Sequence, residues 1–156
     1  MRRKEREITD LQKIDGIIMA CDCCRLGFAD ENGVYIVPLN FGYEVKGEKR
    51  SFYFHGAKEG RKIDLINRTG RAGFELDTSH EVADGETACN YSFLYQSVIG
   101  DGTVSIVTDD AEKRAALQLI MEHYSEKSDW SFPDAAVRAV AVFKLEVREL
   151  ACKEHL

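Results

Sequence analysis

Two alternating stretches, CCRLGFA and VYIVPLNFGY, flank the tetrapeptide Asp30-Glu31-Asn32-Gly33. Asn and Gly both tolerate positive φ, so the pair predicts a tight hairpin turn between two strands. A second hairpin follows directly. It comprises the stretch to Val45, the turn Lys46-Gly47-Glu48-Lys49 and the strand SFYFH. Turns this short force antiparallel pairing, because a parallel pair needs a crossover of roughly a dozen residues. The front third of the chain therefore has to build an antiparallel sheet.

The remaining segments extend that plan. Thr9 with Gln12 forms a capping-box pair. Leu11, Ile14, Ile17 and Ile18 follow at helical spacing, which predicts a helix from about Asp10 to Ala20. A second helix is expected from about Glu59 to Asn67, carrying Ile63, Leu65 and Ile66 and stopping near Gly70. RAGFELDT reads as a strand and the polar stretch 80–89 as a loop. YSFLYQSVIG and TVSIV read as two strands around a turn or bulge at Gly100-Asp101-Gly102. Tyr91, Phe93 and Tyr95 fall on one strand face, expected to be a core face. Asp109 with Glu112 caps a third helix, with Ala115, Leu119, Ile120 and Tyr124 on one side. SDWSFPD reads as a loop and AVAVFKLEV as the last strand. The expectation is one domain over 1–156, mainly β, closing as a small antiparallel barrel with helices packed outside.

Composition narrows the partners. The chain has 156 residues, 44% of them hydrophobic, and a formal net charge of −6. That balance excludes a disordered or membrane-spanning class and makes a poor general binder of nucleic acid or membrane surfaces. The charge is unevenly spread. Lys58, Arg61, Lys62, Arg68 and Arg71, set against Glu59 and Asp64, give residues 58–71 a local +3 and leave −9 elsewhere. Five cysteines (Cys21, Cys23, Cys24, Cys89 and Cys152) and an N-terminal stretch without an apolar leader predict a cytoplasmic protein with free thiols. No second pair of Cys or His accompanies the Cys21/Cys23/Cys24 cluster, so buried thiols are expected rather than zinc; Cys152 and His155 read as tail.

Walker, dinucleotide-fingerprint, HExxH and GxSxG motifs are absent. The chemistry points instead to SFYFHGAKEGRKIDLI. There a strand ends at His55, glycines bracket a short loop, and Arg61-Lys62 open a helix. Basic residues at a helix start oppose its dipole unless an anion is held there, and the free amides of that start suit a phosphate. In VYIVPLNFGY, Pro38 interrupts a strong strand, leaving backbone groups near Leu39, Asn40 and Phe41 for a flat ligand or marking an edge with a bulge. Gln96 and Ser97 are polar on an otherwise apolar strand and could reach a ligand or a partner subunit.

Together, CCRLGFADENGVYIVPLNFGY, SFYFHGAKEGRKIDLI and YQSVIGDGTVSIV resemble the flavin-binding split-barrel proteins related to pyridoxamine 5′-phosphate oxidase. The similarity is greatest to the Nim-type branch of 5-nitroimidazole resistance proteins, and it covers about residues 8 to 147. It implies a six-stranded antiparallel split barrel that forms a homodimer with flavin mononucleotide, FMN, in grooves between subunits; the dinucleotide FAD is the alternative. By motif, Gly60, Arg61 and Lys62 would hold the phosphate, and Val37, Pro38, Leu39 and Asn40 would line the ring. Phe54 and His55 would lie beside it, and Tyr95, Gln96 and Ser97 would reach it, from the second subunit if not from the first. The oxidase pattern RxVxLK is replaced here by IVPLNF, and the pyridoxal-phosphate substrate motif is missing. Both departures disfavour oxidase activity on that substrate.

The resemblance implies an FMN-dependent reductase of small aromatic or nitro-aromatic compounds. His55 would be the catalytic side chain, since an imidazole titrates near neutrality and can position or protonate an acceptor. The rival readings are a non-catalytic flavin-binding or redox-sensing protein, a haem-binding relative of the same barrel, and a pyridoxamine-phosphate oxidase-like enzyme.

Overall fold

The computed structural model describes residues 3–156. Eight strands form one sheet: β1 (Glu7–Ile8), β2 (Cys24–Asp30), β3 (Gly33–Leu39), β4 (Gly42–Lys46), β5 (Lys49–Gly56), β6 (Arg71–Ala83), β7 (Ser92–Val107) and β8 (Ala141–His155). Four helices accompany it: α1 (Leu11–Ala20), α2 (Arg61–Thr69), α3 (Asp110–Tyr124) and α4 (Asp134–Ala139). The sheet order is β3-β2-β6-β7-β8-β5-β4, with β1 added beside β8, and every pair is antiparallel. The two edge strands, β3 and β4, are consecutive in the chain and joined only by Asn40 and Phe41. So short a link brings the sheet's edges to the same corner with no ladder between them, and the barrel is split there. The mainly β class is as expected, with more strands than the expected six.

The interior is aromatic. Phe28, Phe41, Phe52, Phe54 and Phe143 are all essentially inaccessible, packed with Leu26, Leu76, Val98 and Leu145. α1 adds Ile14, Ile17 and Ile18 to this core and α2 adds Ile63, Leu65 and Ile66. Each helix buries one apolar side, which explains why they pack outside the sheet. No helix among the described residues is long and apolar enough to cross a membrane.

Several boundaries differ from the sequence reading. The cap of α1 is Asp10, whose carboxylate accepts from Gln12 and Lys13 amides, and not Thr9. In the first hairpin Asp30 pairs with Gly33, so Glu31 and Asn32 form the loop. Only Gly33 takes positive φ, at 108°. Residues expected as two strands around Gly100-Asp101-Gly102 form the single strand β7, with the register shift between Asp101 and Gly102. Part of the expected loop at 80–89 belongs to β6, and α4, which the sequence reading did not place, runs from Asp134 at the end of SDWSFPD to Ala139, the first residue of the expected last strand. Ala115 is exposed; Ala116 and Ile120 are the buried residues of α3.

The expected core face at Tyr91, Phe93 and Tyr95 is not one. Tyr91 is 54% and Phe93 51% exposed, and only Tyr95 is half-buried, its ring edge-on to His155. Cys152 and His155 are no loose tail: both lie in β8, with Cys152 buried and His155 paired to Tyr95. The five cysteines are free thiols. Burial pushes the Cys21 thiol up to about 12 and Cys152 up to about 11, and raises Cys24 as well.

Candidate functional site: an unpaired basic helix start

β5 ends at Gly56, and Ala57–Gly60 lead into α2. Gly60 adopts φ 119° and ψ 170°, a conformation that side-chain-bearing residues avoid, and it offers no capping side chain. The first helical bond runs from the Asp64 amide to the Gly60 carbonyl at 3.1 Å. The amides of Arg61, Lys62 and Ile63 have no acceptor among the described residues and lie at the positive end of the helix dipole.

The structure divides the basic segment in two. Arg68 pairs with Asp30 and Glu31, and Arg71 lies 3.6 Å from Asp101, so the far end is neutralised. Lys58, Arg61 and Lys62 have no carboxylate within 4.0 Å among the described residues. Arg61 instead places its guanidinium 4.7 Å from the centre of the Tyr35 ring. Lys62 places its ammonium 5.5 Å from the centre of the Phe143 ring. Burial lowers the Lys62 pKa below its ordinary 10.5, and no opposing charge offsets it. A desolvated cation beside uncapped amides is an unfavourable arrangement that an incoming phosphate would relieve.

The stretch expected to line a ring, Val37 to Asn40, lies at the end of β3 and just beyond it. Tyr35, Val37 and Leu39 point inward opposite Phe28, Leu26 and Cys24, whereas Pro38 and Asn40 are exposed. Strand alternation therefore prevents the side chains of Val37, Pro38, Leu39 and Asn40 from lining one ring face together. Pro38 sits on an edge strand, where its missing amide costs no ladder bond. Tyr35 links this stretch to Arg61, because it lies one step along the same inner face as Val37. His55 is exposed at the end of β5, opposite Val142, and its side chain makes no hydrogen bond to the described residues. The Phe54 side chain is fully buried, stacked 5.3 Å from Phe143, so it belongs to the core.

Tyr95, Gln96 and Ser97 lie elsewhere. They pair with His155, Glu154 and Lys153, whereas α2 starts near the opposite end of the ladder, where Val107 meets Val142. Measured along β8, that separation is a strand path of roughly 35 Å at about 3.3 Å per residue. Gln96 is already engaged: Ser79 donates to its carbonyl at 3.0 Å and its amide donates to Glu154 at 3.2 Å. Ser79 is the only described non-glycine residue with positive φ, 58°, and it lies where the β6–β7 register shifts. Neither the roles of Tyr35 and Phe143 as seats for the two cations nor the Ser79 bulge was predicted. Tyr35 and Phe143 are ordinary strand aromatics far from residue 61 in sequence.

A family profile described as Pyridoxamine 5′-phosphate oxidase matches residues 10–154. No curated protein matches the chain. Among solved structures, a candidate 5-nitroimidazole antibiotic resistance protein from Bacteroides thetaiotaomicron is 36% identical with a TM-score of 0.82, covering 95% of this chain and 86% of that one. The flavocytochrome Anf3 from Azotobacter vinelandii has the same fold at 18% identity and TM-score 0.82, covering 100% and 72%. A FAD-binding protein from Mesorhizobium loti shares it at 21% identity and TM-score 0.68, covering 97% and 98%.

Proposed function

Since the chain belongs to the pyridoxamine 5′-phosphate oxidase family, we propose that it is an FMN-binding reductase of small aromatic or nitro-aromatic compounds. The observation that carries the flavin is the pair Arg61 and Lys62. Neither has a carboxylate partner among the described residues, both sit at an uncapped helix start, and Lys62 is partly desolvated. That is what a phosphate monoester requires. The flavocytochrome and the FAD-binding neighbour support a flavin, and the 36% identical neighbour supports the nitro-aromatic substrate class.

In this reading Arg61 grips two phosphate oxygens, Lys62 neutralises a third, and Gly60 lets the backbone approach. A bound flavin would supply two-electron transfer to the acceptor. The free edge of β3 holds the ring plane through backbone groups near Pro38. His55, exposed and with no side-chain hydrogen bond among the described residues, orients the acceptor or holds a proton for it.

The second subunit completes the site. Tyr95, Gln96 and Ser97 are too far along the ladder to meet a flavin held by Arg61 of the same chain, so they would reach the flavin of a partner. The outer side of the sheet suits such a partner. Val34 is 70% and Ile36 65% exposed, opposite the small residues Ala29 and Gly27, with Gly73 beyond. A smooth apolar face of this kind is typical of an interface.

Purified protein should be yellow, bleach with dithionite, and release FMN on denaturation as identified by mass spectrometry. A colourless protein that takes up neither FMN nor FAD would refute the proposal. Turnover of a reduced nicotinamide with a nitroimidazole acceptor separates the reductase from a non-catalytic flavin carrier.

A further inference from the structure

We infer that Gly56 is a positioning residue: the space left by its missing side chain, with the Phe143 ring as floor, seats the Lys62 ammonium for phosphate. The inference rests on the flavin reading above.

Gly56 has no conformational reason to be glycine. It is the last residue of β5, it pairs in register with Ala141, and it is not among the glycines with positive φ. What a side chain would change there is space. A Cβ built on Gly56 falls 2.9 Å from Lys62 Nζ and 3.4 Å from Lys62 Cε. Apart from Gly56 and its two chain neighbours, no other described residue comes within 4 Å of that Cβ, so the ammonium end of Lys62 alone fills the gap.

The seat has two walls. Phe143, fully buried and two residues beyond the partner of Gly56, lies beneath the ammonium at 5.5 Å from its ring centre. Lys62 itself is the second residue of α2, next to the uncapped amides. A lysine is a point charge on a four-carbon stem, so its binding role depends on where that stem is held. Gly56 and Phe143 hold it against the barrel wall, between the end of β5 and the start of α2. A methyl at position 56 would tilt the stem outward. Because the displaced atoms are the flexible end of a side chain, the fold has no reason to respond.

The test is Gly56→Ala in the full chain, with FMN and riboflavin titrated by flavin fluorescence. Gly56→Ala should weaken FMN binding about ten- to hundredfold, the scale of one charge-assisted hydrogen bond. Riboflavin, which lacks the phosphate, should bind both proteins equally. In a Lys62→Ala background the same change should have no further effect, and the melting temperature should stay that of the parent. NMR supplies a flavin-free readout: the Lys62 ε-methylene should be shifted by the Phe143 ring in the parent and released in Gly56→Ala. FMN binding unaltered by Gly56→Ala would overturn the inference while leaving the flavin reading intact. Equal weakening for FMN and riboflavin would overturn it too, since that marks general damage. A parent chain that binds neither ligand would overturn the flavin reading, and the positioning role with it.

Discussion

At Lys62 a single charge sits where burial penalises it and nothing opposite compensates. Two consequences follow at this scale. Replacing Arg61 and Lys62 together by Ala should cost FMN binding about 2–4 kcal/mol, on the scale of charge-assisted bonds, measured by fluorescence titration. The pH dependence has a definite sign. The phosphate needs the ammonium form, so affinity is complete below the lowered pKa of free Lys62. It is lost as pH rises through that value, sooner than for a lysine at 10.5. FMN affinity followed from neutral to alkaline pH should therefore fall in the parent and stay flatter in Lys62→Ala. Phe54 makes a contrasting case. It is 0% exposed, so Phe54→Ala should lower unfolding stability by about 3–5 kcal/mol in a denaturant titration, as a core truncation does. His55→Gln should reduce nitro-aromatic turnover and leave flavin retention unchanged, because the imidazole is exposed and makes no hydrogen bond among the described residues.

Among the elements, α1 and β7 show how local signals were read and misread. Thr9-x-x-Gln12 carries a capping-box signature, yet Asp10 lies one residue closer to the helix and its carboxylate reaches the Gln12 amide at 3.0 Å. Asp10→Ala should accordingly destabilise the protein by about 1 kcal/mol in thermal or denaturant unfolding, and Thr9→Ala should not. In β7 the glycines around Asp101 suggested a turn or a bulge between two strands, and the register shift falls there. The strand instead continues through them, because each glycine allows a close approach to β8. A Cβ at Gly102 would fall 2.2 Å from the Glu146 carbonyl oxygen. Gly102→Ala should therefore cost about 1–3 kcal/mol of stability, the range for overpacking. The hairpins were legible because turn chemistry acts over four residues. The fusion of two strands into one was not, because it depends on a partner strand over forty residues away.

For the whole molecule, the decisive fact is the roughly 35 Å between the α2 start and Tyr95–Ser97 along the sheet. In the proposed reading the groups that meet one flavin therefore come from two copies of the chain. Ile36→Glu, which places a charge on the exposed face of β3, should shift sedimentation to the monomer mass and reduce FMN retention together; loss of neither would count against the shared site. The sequence by itself determined the antiparallel sheet, the three main helices and the basic helix start, since alternation, caps and glycine turns are local properties of a few neighbouring residues. Only the tertiary structure decided which cations stay unpaired, that Phe143 and Gly56 seat Lys62, and that the aromatic run at Tyr91 and Phe93 faces outward. Those outcomes depend on contacts between residues distant in the chain, which meet only after the sheet has curled and its strands have found their register.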